Sequence, residues 1–378
     1  MSMVMTVGDT QRIAGGYHDK PERSFSLQAE AYTDQRWFAF ERQAIFSRSW
    51  QWVCHVEKLR EPGSYVTADV AGQPICIVRD KGGTLRAFYN VCKHRAHELL
   101  KGEGRTAVIL CPYHAWSYDL EGRLLRAPET ESLQDFDREG ICLDAIQVEE
   151  FCGFVYVNLG GGPPLAEQAG ELGSEIRHWA PDVENLTLAH RLTYDIKSNW
   201  KNVVDNFLEC YHCPVAHKDF CTLVDMDTYR VTTHGIYSSH MAEAGKTANA
   251  AYSIEGATVK DHAVWFLWPN ICLMRYPGRG NFIVMHIIPA GIDRTLETYD
   301  FFFEDAEPNT AEQEAIRYID DVLQVEDIGL VESVQRGMST PAFSQGRIVH
   351  DPNGSGKSEH AVHHFHGLVL DAYRKAAA

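Results

Sequence analysis

Cys92-Lys-His94, sixteen intervening residues, then Cys111-Pro-Tyr-His114 is the stretch that decides the reading of this chain. Each short clip offers one thiolate and one imidazole. An iron–sulfur cluster with two Cys on one iron and two His on the other needs this mixed set, with each loop donating one ligand to each iron. Structural zinc sites instead pair Cys with Cys in one clip and His with His in the other, so the alternation departs from that pattern. Imidazole in place of thiolate leaves the cluster less negative and raises its potential. Pro112, Tyr113, Trp116 and Tyr118 are expected to shield the second clip from water. His97, three residues past His94, falls outside the completed tetrad and reads as a surface or interface histidine.

Around these clips, residues 50–160 are rich in short β-type runs: SYVTADV, PICIVRD, LRAFYNV, AVILCPYH and FVYVNL. Asp80-Lys-Gly-Gly83 separates two of them as a hairpin loop would. Gly160-Gly-Gly-Pro-Pro164 is the clearest boundary signal. Three segments follow: 1–45, an N-terminal segment expected to pack on the last; 46–160, β-rich; and 161–378, mixed. The first 30 residues read as poorly ordered. Tyr32 to Phe46 reads as one helix with Thr33 as its cap. Asn199–Cys213 reads as a helix ended by Pro214, and Asn309–Met338 as a long helical region. The overall class is α+β.

A second set of ligand types lies about a hundred residues downstream. His212 and His217 supply two imidazoles, and Asp327 supplies a carboxylate from the long helical region. Two His and one carboxylate on one face of an Fe(II) leave the opposite face open for O2 and substrate. Five residues do not fall on one helical face, so convergence of the two histidines needs a break, which Pro214 provides. Glu209, three residues before His212, is expected on the same helical face, orienting an imidazole. Asp205, one turn earlier, reads equally as a helix-surface acid or as part of the site.

The chain has 378 residues, is 44% hydrophobic, and carries a formal charge of −17. It is therefore globular, and its charge argues against nucleic acid and anionic membrane as partners. No apolar run reaches spanning length and no leader pattern opens the chain, so a cytoplasmic location is expected and the ten cysteines read as thiols or metal ligands. Gly354-Ser-Gly-Lys357-Ser358 lacks the first glycine of a phosphate loop, and Gly102-Glu-Gly-Arg-Thr-Ala107 lacks its βαβ context. With no nicotinamide or flavin site, electrons must arrive from a separate protein. Cys210-Tyr-His-Cys213 resembles a redox clip outside its usual fold, and His363, His364 and His366 read as surface residues.

Taken together, these residues resemble the large (α) subunits of Rieske non-haem iron oxygenases from about residue 30 onward. The resemblance implies a β-rich Rieske domain holding a [2Fe-2S] cluster on Cys92, His94, Cys111 and His114. It also implies a helix-grip domain holding iron on His212, His217 and Asp327. A partner flavin/iron–sulfur reductase would deliver electrons from NAD(P)H, and a head-to-tail homotrimer would let one subunit's cluster feed its neighbour's iron. The acid before the first iron histidine bridges the centres; it is Asp in most of the family and Glu209 here. That departure is similar to the branch acting on quaternary ammonium compounds such as carnitine and betaine. Phe207, Tyr211, Trp265, Phe266, Trp268 and Tyr276 are then candidates to line a pocket for a cationic substrate. The expected function is a terminal monooxygenase acting on a small quaternary or N-methyl amine. Its rivals are an aromatic-ring hydroxylating dioxygenase and a Rieske electron carrier without catalysis.

Overall fold

A computed structural model describes residues 5–245, 261–276 and 281–377. The chain divides into two compact units: Phe46–Glu167, and Met1–Ile45 together with Gln168–Ala378.

The first unit is antiparallel β. Its seven-stranded sheet runs Gln51–His55, Phe154–Asn158, Ala145–Phe151, Leu85–Tyr89, Gln73–Arg79, Ser64–Val70 and Glu103–Arg105. The Asp80 turn closes as its composition demands: Asp80 Oδ1 accepts the backbone N–H groups of Gly82 and Thr84, and Gly83 takes φ +83°. A separate three-stranded sheet of two- and three-residue strands, beginning at Ile109, carries the second clip between its first two strands. Phe154–Asn158 is buried on both faces, so its run of apolar residues does not alternate.

The second unit is built on a seven-stranded antiparallel sheet. Its order is Thr187–Ile196, Arg294–Phe303, Asn281–Gly291, Ile271–Arg275, His262–Leu267, Tyr237–Ala242 and Arg230–Thr233. The two-residue side-chain period sorts its residues onto two faces. On one face the helix Leu172–Trp179 delivers Glu175, which accepts from Tyr237 OH (2.9 Å), Ser239 Oγ (2.6 Å) and Trp265 Nε1 (2.9 Å). On the other face lie the helices Trp200–Phe207, Gln324–Met338 and His360–Ala377; Gln324 Nε2 donates to Tyr299 OH and Phe266 packs against Phe365.

Several local expectations fail for identifiable reasons. The first 30 residues hold regular structure: Thr6 and Asp9 form a reciprocal cap on the helix Val7–Ala14, and Tyr17 stacks on His363 at 4.7 Å. Tyr32–Phe46 is not one helix. Asp34 accepts the N–H of Arg36 and starts a new helix, Gln35–Glu41, after the short Glu30–Thr33 turn. Asn199–Cys213 stops at Phe207, and Pro214 opens the short helix Cys213–Ala216 instead of closing the longer one. Proline's missing N–H suits a first turn as well as a last one, so its presence alone does not say which end it marks. His363 and His366 are buried on the inward side of the last helix, not on the surface.

Buried polar contacts bind the N-terminal segment to this unit. Glu41 and Lys201, both fully buried, pair at 2.5 Å, and Trp200 Nε1 donates to Glu41 Oε2 at 2.7 Å. Tyr373 OH also donates to Glu41. Burial lowers the Lys201 pKa, and the ion pair with Glu41 opposes that shift.

Candidate metal centres

The two clips of the β-rich unit fold as near copies of each other. In each, the residue four after the cysteine is an alanine with φ near +58°, Ala96 and Ala115. Ala96 N–H returns to Cys92 C=O at 3.0 Å, and Ala115 N–H to Cys111 C=O at 3.1 Å. Cys92 N–H then bonds His97 C=O (2.9 Å), and Cys111 N–H bonds Trp116 C=O (2.8 Å). Clips of unequal spacing thus reach one backbone shape. A left-handed non-glycine residue is strained, and finding one at the same step of both loops marks a constrained geometry.

The side chains fit a cluster. Cys92 and Cys111 are buried free thiols. The His94 and His114 rings lie 4.7 Å apart, and Trp116 stacks on His94 at 4.9 Å. The buried His114 Nδ1 has no hydrogen-bond partner, as a metal-ligating atom should in the absence of its metal. Tyr118 OH lies 3.4 Å from Cys92 Sγ and accepts Lys93 N–H at 3.0 Å, a contact of the kind that tunes cluster potential. Of the four residues expected to shield the second clip, Trp116 and Tyr118 are buried. Pro112 and Tyr113 are exposed, because the clip's tip faces solvent with His94.

In the larger unit, His212, His217 and Asp327 converge. His212 Nε2 is 3.1 Å from His217 Nε2, His217 Nε2 is 2.9 Å from Asp327 Oδ1, and the remaining edge is 3.7 Å. Three ligands on one face of an octahedron with bonds of ~2.1 Å would stand ~3 Å apart, so the triangle suits a single metal ion with its other face open. Both outer ring nitrogens are fixed by acids. His212 Nδ1–H donates to Glu209 Oε1 at 2.5 Å, and His217 Nδ1–H donates to Glu326 Oε2 at 2.8 Å. Burial disfavours charge on His217, but Asp327 and then Glu326 outweigh it and lift its pKa to about 9; a metal would displace that proton.

Glu209 does not reach His212 across a helical face. Residues 208–212 lie between helices, and Glu209 Oε2 instead accepts the backbone N–H groups of Tyr211 and His212, folding the turn around its own carboxylate. Asp205 has other partners. It accepts from Tyr32 OH at 2.8 Å and meets His366 Nε2 at 3.0 Å, because it leaves the helix on the side facing those residues. Cys210 and Cys213, read as thiols from composition, are joined in a disulfide that brackets His212.

A cavity of about 820 Å³, counting its open mouth, adjoins the triad. Phe207 and Tyr276 line it. The other four pocket candidates do not. Tyr211 is 52% exposed; Trp265 points to the opposite sheet face and bonds Glu175; Phe266 and Trp268 pack on Phe365. Sequence reasoning missed Tyr229, His262, Met285, Glu297 and Tyr299, which share the cavity. The available signal was the alternation in Thr295–Phe303, where an acid occupies an inward position between Thr295 and Tyr299. Burial, then the charge of Asp327, drives the Glu297 carboxyl well above the usual range; burial alone lowers His262 to about 4.

Residues 49–137 match the Rieske [2Fe-2S] domain family, and residues 183–375 match the ring-hydroxylating alpha-subunit catalytic domain. The chain is a Rieske non-haem iron oxygenase. Like its family, this oxygenase is an oxidoreductase carrying a [2Fe-2S] cluster and a mononuclear iron. It is 38% identical over 357 residues to the carnitine monooxygenase oxygenase subunit of Escherichia coli (strain K12), covering 94% of this chain and 95% of that one. It is 31% identical to the chloroplastic choline monooxygenase of Spinacia oleracea, covering 92% and 78%. The crystal structure of the quaternary ammonium Rieske monooxygenase CntA in complex with L-carnitine superposes with a TM-score of 0.85 at 34% identity, covering 94% and 98%. The assembled triad sets this oxygenase apart from a Rieske electron carrier without catalysis. Among the described residues no helix is long and apolar enough to cross a membrane.

Glu326 is placed to orient the His217 ring through its 2.8 Å contact with Nδ1. Glu326→Gln should weaken Fe(II) binding by about 10- to 100-fold while sparing the cluster's visible spectrum. Competitive chelator titration of the mononuclear iron checks this, and unchanged affinity would return Glu326 to the helix surface.

Proposed function

We propose that this chain is the terminal oxygenase of a multicomponent monooxygenase acting on a small quaternary ammonium or N-methyl compound. A separate flavin/iron–sulfur reductase would supply two electrons from NAD(P)H. The observation that carries the reading is the wall of the cavity beside the triad. It combines aromatic rings, among them Phe207, Tyr229, Tyr276 and Tyr299, with the acid Glu297, and includes neither Lys nor Arg among the described residues. Such a wall favours a compact cation and disfavours a carboxylated arene placed against Glu297. The relatives named for carnitine and choline support the same substrate class.

When bound, the iron supplies reductive activation of O2. The chain's part is to hold the carbon next to the cationic nitrogen at the open face of the His212–His217–Asp327 triangle and to exclude water with the aromatic wall. One oxygen atom enters the C–H bond; the other leaves as water with two electrons and two protons. The carbinol so formed next to the ammonium then expels the tertiary amine and leaves a carbonyl group. Glu209, hydrogen-bonded to a ligand imidazole, would link the iron to the cluster of a neighbouring subunit in a head-to-tail trimer.

The test is a turnover screen of quaternary amines and aromatic acids with a surrogate reductase, read by product mass. Release of a tertiary amine from a quaternary substrate is the expected result. Turnover confined to planar aromatic acids would replace this reading with ring hydroxylation.

A further inference from the structure

Glu297 is a buried acid in the cavity wall with an uncompensated oxygen. It is 1% exposed, and its Oε2 has no hydrogen-bond partner. Among the described residues it forms no ion pair. Its strand, Arg294–Phe303, pairs on both sides, with Glu297 opposite Tyr194 and Ile287, so the backbone gives it no freedom to swing to solvent. A buried acid with an empty acceptor is costly unless something completes it. Gln324 also lines the cavity; its Nε2 donates to Tyr299 OH, and its Oε1 is buried without a partner. As a carboxylate, Glu297 lacks a compensating positive charge, and Gln324 Oε1 lacks a donor.

We propose that Glu297 is the counter-ion that selects the cationic head of the substrate. The inference rests on the quaternary ammonium reading above and deepens it. A quaternary nitrogen carries no N–H, so no directional hydrogen bond can recognise it; a carboxylate at fixed position supplies the charge, and the flanking rings Tyr276 and Tyr299 supply faces. Glu297 and the triad residues His212, His217 and Asp327 line the same cavity. A cation held by Glu297 therefore stands near the triad, which is where the carbon bonded to nitrogen must be for its C–H bond to react. Burial raises the Glu297 pKa, so a carboxylate there is costly unless a cation compensates it.

The test compares binding of L-carnitine with that of its carbon isostere, in which a quaternary carbon replaces the nitrogen. Anaerobic holoprotein is used, by calorimetry, for wild type, Glu297→Gln and Glu297→Asp, with iron and cluster content verified. Wild type should prefer the cation. Glu297→Gln should lose about 10- to 100-fold in affinity for L-carnitine and nothing for the isostere, and Glu297→Asp should retain part of the preference. A wild-type preference that survives unchanged in Glu297→Gln overturns the role of Glu297 alone, as does equal loss of both ligands. No preference in wild type overturns the substrate class itself.

Discussion

Asp327→Ala protein will carry a full cluster and make no product. Its visible absorption will match wild type, because Cys92, His94, Cys111 and His114 belong to a different unit of the chain. Its mononuclear iron will be lost, because one of three ligands at 2.9–3.7 Å spacing is gone. Removing an outer partner of a metal ligand typically costs ~10–100-fold in affinity, and removing the ligand itself costs more. Reduced cluster will then persist in air-saturated buffer with substrate present. Iron analysis and single-turnover spectra together decide the matter. A variant that retains mononuclear iron and turns over within tenfold of wild type would remove Asp327 from the metal site.

Glu209→Gln will retain both metals and transfer electrons slowly. Gln keeps the size of the side chain but offers one acceptor oxygen in place of two, so it can serve either His212 Nδ1–H or the Tyr211 and His212 amides, and it removes the charge behind the 2.5 Å contact. A hydrogen bond to a charged group contributes about 1.5–3 kcal/mol, so the rate of cluster oxidation should fall by roughly 10- to 150-fold if that interaction acts at the transfer step. Stopped-flow oxidation of the reduced cluster, with O2 and substrate present, reports the rate directly. A near-normal rate would leave Glu209 as a local clamp on the Tyr211 and His212 amides and nothing more.

The candidate metal-binding side chains, which the fold brings together, were legible because ligand chemistry restricts residue type and spacing together. Neither constraint reaches the cavity wall. Trp265 and Phe266 looked like pocket residues because they are aromatic and adjacent, yet adjacency in a strand sends neighbours to opposite faces, and Trp265 went to Glu175. Glu297 escaped notice because a single acid in a strand is unremarkable until the sheet shows which way it points. The matched turns at Ala96 and Ala115 were hidden for another reason: the clips differ by one residue between Cys and His, so the shared backbone shape leaves no common spacing to read. At Asp34 and Phe207 a side-chain cap and an early helix end broke elements that apolar periodicity had joined.

The split of the larger unit around Phe46–Glu167 imposes an order on its birth. Ser26 and Ala29 bond to Gly346 and Ser344, and Glu41 meets Tyr373, so the first 45 residues have partners that leave the ribosome last. At 5–20 residues per second, roughly 300 residues of synthesis separate those partners by about 15–60 s. The β-rich unit, whose strand contacts all fall within its own span, emerges whole inside that interval and can fold first. The leading segment meanwhile waits with Trp37, Tyr32 and Ile45 uncovered, an apolar surface available to chaperones until the final helix arrives to close over it.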